Sequence, residues 1–387
     1  MPEDALWLVT DRQGNSTAVK VLLLGLGPLN RPHVPDFPGL GCYSGQYFHS
    51  ARWDTSFNWK GKRVGVIGTG ASAVQIVPGI APEVAQLTVF QRTPAWVSHR
   101  FDKRFPPFSN WLFKRFPILQ KLLREAIYWV SEFIGLGFIG NKRISKLLTW
   151  LSLRKLKKEV KDSDTRRKLT PNYTIGCKRI LRSDDYYPAF NRSNVHLVTE
   201  PIQQFAPKGI LTSDAMEHQL NAVVFATGFV AADMDLYTKV IGSEGNNLLD
   251  EWQAKGAEAY KGTTVSGYPN LAFILGPNTG LGHNSVVHMM ESQMNYIMQY
   301  IQYLERSGED SYLNLKEEVQ QAYNNRLQQE LKNTVWASGC KSWYLNKKGK
   351  NTTLYPRLTV TFRKETRHFN PEAYQVLKAA SRNPAQV

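Results

Sequence analysis

The segment Gly68-Thr69-Gly70-Ala71-Ser72-Ala73 carries the clearest chemistry in the chain. It follows the run Arg63-Val64-Gly65-Val66-Ile67 and opens a helical pattern that ends near Pro78. This is the G-x-G-x-x-A turn between a strand and a helix that binds a dinucleotide. Gly68 permits the tight turn, Gly70 lets a pyrophosphate approach the backbone, and Ala73 lets helix and strand pack closely. Thr69 and Ser72 share this turn, where free N–H groups and the helix dipole favour an anion. A strand–helix turn with no ligand is the plain alternative, and the correct flanks weigh against it. The next strand, Gln86 to Phe90, ends in Gln91-Arg92-Thr93-Pro94. A site for NAD places an Asp or Glu there to hold the ribose 2′-hydroxyl. Arg92 can instead grip a 2′-phosphate in bidentate fashion. A surface Arg at a strand end is again the alternative, but no acidic residue stands ready for the other task. The sequence favours NADP.

These residues need strands that alternate with helices. Val19 to Leu24 reads as a buried strand running into Gly25-Leu26-Gly27-Pro28, and a proline-rich connector from Pro32 to Pro38 excludes helix. Further strands are expected at Lys62 to Val66, Asn194 to Val198, Ala222 to Phe225 and Leu271 to Leu275, with a long helix from about Asn284 to Leu304. The alternation predicts an α/β fold with mainly parallel sheets, interrupted by a helical insert at about 100–170.

The net charge of +16 over 387 residues invites a nucleic-acid reading until it is located. From Arg100 to Lys168 there are 18 Lys and Arg against 6 Asp and Glu, so +12 of the charge lies in the insert. There the basic residues alternate with aromatic and aliphatic ones, as in Trp111-Leu112-Phe113-Lys114-Arg115-Phe116. That pattern belongs to amphipathic helices with a cationic face. No nucleic-acid-binding module accompanies it, and no nucleic-acid partner is expected. Solvated helix faces in a cap over the nucleotide domain are the preferred reading, and a peripheral membrane contact is the alternative. The opening residues Met1-Pro2-Glu3-Asp4 carry no secretory leader, and a cytoplasmic location is expected. Cys42, Cys177 and Cys340 are too far apart for a metal-ligand spacing, and no metal site is expected.

Just before the nucleotide turn lies Tyr43-Ser44-Gly45-Gln46-Tyr47-Phe48-His49-Ser50-Ala51-Arg52-Trp53-Asp54. It resembles the Baeyer–Villiger monooxygenase fingerprint F-x-G-x-x-x-H-x-x-x-W-(P/D), with Tyr43 in place of Phe and Gly45, His49, Trp53 and Asp54 at the right spacing. The likeness continues along nearly the whole chain. Gly176-Cys177-Lys178-Arg179 and the following Asp185-Tyr186-Tyr187 resemble the segment with the family's catalytic arginine. Ala226-Thr227-Gly228-Phe229 resembles the return crossing into the flavin domain, and Gly276 to Ser285 its second flavin-contact loop. Ser342-Trp343-Tyr344 resembles the segment whose Trp lies near the nicotinamide.

The resemblance implies two interleaved Rossmann-like domains that bind FAD and NADP, with O2 and a small organic molecule, such as a ketone, as the other reactants. It implies a flavin-domain remnant and linker at 1–58, an NADP domain with the helical insert at 59–225, and the rest of the flavin domain at 226–387. Arg179 then stabilises the anion formed when reduced flavin meets oxygen; its alternative is an ion pair with Asp184 or Asp185. Lys178 shares the 2′-phosphate with Arg92, Asn278 contacts the flavin, and Trp343 the nicotinamide. Without the resemblance, Gly276 to Ser285 is a turn with Asn284 or Ser285 as helix N-cap.

Family members open with a strand, a G-x-G-x-x-G turn and a helix for the FAD pyrophosphate, and nothing before Lys20 supplies them. The flavin domain is therefore expected to be incomplete at its N-terminus. Two functions follow: a monooxygenase that converts a ketone to an ester or lactone, or oxygenates nitrogen or sulfur, and a non-catalytic NADP-binding remnant that does not hold FAD.

Arg92 yields a direct test. Arg92→Ala is expected to weaken NADPH binding by roughly 1.5–3 kcal/mol, as for a hydrogen bond to a charged group, while NADH binding stays nearly unchanged. Calorimetric titration with both nucleotides checks it, and equal losses would make Arg92 a structural residue.

Overall fold

A computed structural model describes residues 6–27, 29–102, 104–230, 238–340 and 342–379. The opening residues inspected for a leader, Pro28 of the Gly25–Pro28 turn and Lys103 of the insert lie outside the described residues. The chain divides into two compact units, Arg31–Leu123 with Asn141–Phe229, and Met1–Asn30 with Arg124–Gly140 and Val230–Val387.

The 31–229 unit is built on a five-stranded parallel sheet. Its order is Gln46–His49, Ala222–Phe225, Arg63–Ile67, Gln86–Phe90 and Val195–Val198. The apolar runs form strands because both faces are covered, so Val64, Val66, Leu87, Val89 and Val224 are all buried. The helix Ala73–Ile80 covers one face through Ala73, Val74, Val77 and Ile80. On the other face Phe205, Ile210, Val223 and Phe225 close a second core. Two of these come from an antiparallel ribbon of Ile202–Ala206, Gly209–Thr212 and Glu217–Gln219. Parallel register places Ile67, Phe90, Phe225, His49 and Val198 at one end of the sheet. The loops after those strands hold the fingerprint turn, Arg92 and Thr227-Gly228.

The other unit contradicts the reading of Val19 to Leu24 as one strand. Ser16–Val19 pairs antiparallel with Trp7–Thr10, and Leu22–Leu24 pairs parallel with Leu271–Phe273. The hairpin turn is tied by Asp11, whose carboxylate accepts from the backbone N–H groups of Gln13 and Asn15, with Gly14 at φ +90. The 21-residue helix Val286–Arg306 buries Met289, Tyr296, Ile297, Tyr300 and Leu304, most of them against Leu313, Leu315, Phe362 and Tyr374.

The insert is helical at Pro107–Arg115, Pro117–Gly135, Lys142–Glu159 and Ser163–Lys168. It does not belong to the nucleotide unit alone, because Arg124–Gly140 clusters with the other unit. Glu132 gives the physical reason. Its carboxylate, 2% exposed, accepts hydrogen bonds from His283 Nε2 (3.2 Å), Asn284 Nδ2 (2.9 Å) and the backbone N–H groups of Thr359 (3.3 Å) and Val360 (3.1 Å). Burial alone would raise this carboxyl, but the hydrogen bonds from His283, Asn284, Val360 and Thr359 outweigh it and hold the pKa at about 2.

A pKa depressed from 4.5 to about 2 means that ionised Glu132 stabilises the fold above pH 4.5, and that this contribution is lost as pH falls toward 2. Glu132→Gln should be less stable at neutral pH by roughly 2–4 kcal/mol, since four donors lose their anion. Urea unfolding across pH 2 to 7 should show the difference from the parent narrowing below pH 4.5. A difference independent of pH would contradict the assignment.

Candidate functional site

At the fingerprint turn, Gly68 adopts φ +117, and a Cβ there would overlap the Ala226 carbonyl oxygen. Only glycine meets both conditions. Gly70 faces open space, so a ligand can reach its backbone. Ser72 occupies the N-cap of Ala73–Ile80 without accepting any side-chain hydrogen bond from that helix, and Ala73 is fully buried. The N–H groups of Val74, Gln75 and Ile76 donate to the Gly70 and Ser72 carbonyls, which leaves those of Ser72 and Ala73 beside the open turn. Thr69 Oγ1 donates to the Thr93 carbonyl at 2.7 Å and so ties the turn to the loop that bears Arg92.

A second link brings in the Lys178-Arg179 segment. Val97–Ser98 pairs parallel with Leu181–Arg182, Leu181 N–H bonds to the Trp96 carbonyl, and Trp96 Nε1 donates to the Tyr173 carbonyl. Lys178 Nζ lies 5.0 Å from the Tyr173 ring centroid. Burial, and then the positive charge of Arg92, hold its pKa below the usual lysine value. Arg92 is exposed, and neither cation has a carboxylate partner among the described residues. Two like charges that repel one another near an open turn are a pair whose repulsion an anion would relieve.

Arg179 is exposed and makes no ion pair among the described residues. The alternative pairing with Asp184 is not formed. Asp184 instead accepts from His99 Nδ1, from the backbone N–H groups of Arg100 and Phe101, and from Lys155 Nζ.

The fingerprint residues lie in this same unit and act on its backbone. The Tyr43 hydroxyl donates to the Leu220 carbonyl, and a Cβ at Gly45 would overlap the Tyr43 ring and crowd the Asn221 carbonyl. His49 is buried. Its Nδ1 accepts from Ala51 N–H at 3.1 Å, which leaves the proton on Nε2 for the Gly228 carbonyl at 2.9 Å. Burial holds its pKa low, so the ring is neutral. The same carbonyl accepts from His33 N–H at 2.9 Å, so His49 clasps the 31–33 and 226–229 segments together. Trp53 packs on Phe48 and Trp59 rather than on His49. Asp54 caps a local turn, accepting from Ser56 N–H, Ser56 Oγ and Gln46 Nε2, and Ser56 is the main cause of its lowered pKa.

Asn278 and Trp343 belong to the other unit. Asn278 has φ +54, and its Nδ2 donates to the Asn351 and Leu354 carbonyls at 2.9 Å each. Its Oδ1 is buried without a partner among the described residues, as is His283 Nδ1. Ser285 is the N-cap of Val286–Arg306, accepting from Val287 N–H, while Asn284 turns to Glu132. Trp343 is partly exposed and packs against Tyr344, 4.6 Å between ring centroids. Sequence reasoning missed the Glu132–His283–Asn284 cluster. The available signal was Glu132 itself, the only charge in the apolar stretch Ala126 to Gly140.

Among the described residues no group of three or more His, Cys, Asp or Glu could hold a metal ion, and no helix is long and apolar enough to cross a membrane.

Residues 6–248 match the family model for flavin-binding monooxygenase-like proteins. A Baeyer-Villiger monooxygenase of Pseudomonas aeruginosa is 45% identical over 374 residues, covering 96% of this chain and 71% of its own length. A protein of the same name from Streptomyces coelicolor is 41% identical over 386 residues, covering 100% and 73%. Among solved structures, a complex of OTEMO with FAD and NADP superposes with a TM-score of 0.84 at 27% identity, over 97% of this chain and 78% of that one. A closed structure of cyclohexanone monooxygenase gives 0.82 at 25% identity, over 97% and 78%. These relatives favour a monooxygenase over a non-catalytic remnant, and the parallel-sheet α/β architecture is theirs. The chain belongs to the flavin-binding monooxygenase-like family.

Proposed function

We propose that this protein is an FAD- and NADPH-dependent monooxygenase that inserts one oxygen atom beside a ketone carbonyl, giving an ester or lactone. The observation that carries the nucleotide half of this reading is the open turn at Gly70 together with Arg92 and Lys178, two cations without a carboxylate partner among the described residues. Gly70, Ser72 and Ala73 present backbone N–H groups and a helix N-terminus to a pyrophosphate, while the Gly68 N–H is held by the Phe90 carbonyl. Thr69 and Thr93 fix the distance between that turn and the 2′-phosphate pair Arg92 and Lys178. On this reading the 31–229 unit is the NADPH unit and the other is the flavin unit.

The Gly276–Ser285 loop fits a hydrogen-bonding cofactor edge, because Asn278 Oδ1 and His283 Nδ1 are buried acceptors without partners among the described residues. FAD bound there would supply hydride acceptance from NADPH and activation of O2. The protein's own contributions are positional and electrostatic. Arg179 brings a permanent positive charge without a carboxylate partner among the described residues, suited to negative charge developing on oxygen. The neutral, doubly bonded His49 holds the crossing segments, and Trp343 offers a half-exposed ring for a nicotinamide. We also propose that the basic insert gives the protein a peripheral membrane contact, on account of its +12 charge and its exposed apolar side chains.

Arg179→Ala separates these roles. In the FAD-loaded variant NADPH should still bleach the flavin, because hydride transfer does not draw on Arg179. Oxygenated product should fall roughly 10²–10³-fold, the usual cost of removing one preorganised charge. Rapid-mixing absorbance and product chromatography read the two steps, and normal product from the variant would exclude the assignment.

A further inference from the structure

The helix Pro117–Gly135 is amphipathic in the reverse sense. Its buried residues are Tyr128, Ser131, Glu132 and Gly135, and Glu132 is the buried carboxylate held by four donors. Its outer face is apolar: Ile118, Leu122, Trp129, Val130 and Phe133 are each 55–60% exposed, and Ala126 is exposed among them. At about 100° per residue these six fall within an arc of about 120°, one continuous stripe. Of the exposed charged residues of this helix, Glu125 lies about 20° outside that arc and Lys121 about 60° outside it. The preceding helix Pro107–Arg115 buries none of its residues. It exposes Phe108 stacked with Trp111 at 5.8 Å, next to Lys114, Arg115 and the exposed Phe116.

A helix that buries the carboxylate of Glu132 and shows a stripe of aliphatic and aromatic residues has a partner for that stripe that is not water. The surrounding charge selects which partner. A second copy of the chain on this stripe would bring two inserts of +12 together, whereas an anionic lipid surface complements them. Tryptophan is also the side chain that settles best at the boundary of headgroups and acyl chains.

We infer that the Ile118–Phe133 stripe is the seat of the membrane contact and that its ligand is an anionic phospholipid surface. The apolar side chains enter the acyl boundary, and the neighbouring Lys and Arg side chains lie among the phosphates. The helix lies in the plane of the interface, since it is too short and too charged to span. This inference rests on the peripheral contact proposed above, and its test needs neither flavin nor turnover.

The full chain is co-sedimented with vesicles of phosphatidylcholine alone, or mixed with phosphatidylglycerol, at low and high salt. A double variant, Trp129→Asp with Phe133→Asp, is run beside it. Both side chains are exposed, so unfolding midpoint and NADPH affinity should match the parent and confirm an intact fold. The parent should pellet with phosphatidylglycerol vesicles at low salt and not with phosphatidylcholine alone. The double variant should lose about tenfold or more in partition coefficient. No binding by the parent overturns the membrane contact itself. Parent binding that the double variant retains overturns the stripe as its seat. A parent dimer that the double variant dissociates, with vesicle binding unaltered, assigns the stripe to a second copy and overturns the inference.

Discussion

The backbone of Gly68 lies against the carbonyl of Ala226, a contact that any side chain at position 68 would break. That close approach joins the first nucleotide turn to the segment that leaves the sheet at Phe225, two strands that are neighbours in parallel register. Other positions follow from it. Gly228 comes within reach of His49 and His33, so the buried imidazole spends both nitrogens on backbone groups. Thr69, one residue past the contact, reaches the Thr93 carbonyl and fixes where Arg92 stands. A turn, a clasp and a cationic loop are set by the absence of one methyl group.

Two cations near the Gly68–Ala73 turn have no carboxylate partner among the described residues, and one carboxylate that ordinary packing would expose is buried elsewhere. Arg92 lowers the pKa of Lys178, and neither has a carboxylate partner among the described residues, an arrangement that a bound anion would relieve. Glu132 is the opposite case, a carboxylate nearly free of water that four donors keep ionised. Its burial turns the helix Pro117–Gly135 inside out, so the stripe of Trp129 and Phe133 faces outward as a consequence. One residue thus links the loop expected to meet the flavin with the apolar surface of the insert.

How much of this was legible depended on how local each signal is. The strands at 63–67, 86–90 and 222–225 announce themselves as apolar runs with glycine or polar stops, and the fingerprint turn follows by short-range rules. Val19 to Leu24 reads as one strand because only the single Lys20 interrupts its apolar residues. The break into hairpin and parallel strand is set by Asp11 capping its own turn and by Leu271–Phe273, some 250 residues away. Glu132 could be noticed but not placed, since its partners lie 151 to 228 residues further on. Asn278 was read as a flavin contact, yet its Nδ2 bonds two carbonyls that only the folded 351–354 segment brings near. Sequence reported the residue types that a site needs; distant backbone decided how each polar atom is used.

In the proposed reaction the chain transfers one atom of molecular oxygen to an organic carbonyl compound at the expense of NADPH. The most direct measurement supplies the FAD-loaded protein with NADPH, a panel of cyclic and linear ketones and oxygen-18 gas, followed by mass spectrometry of the products. The expected product is an ester or lactone that carries a single heavy oxygen, the second atom leaving as water, with one NADPH consumed per product. Consumption of NADPH with release of hydrogen peroxide and no labelled ester from any ketone would contradict it.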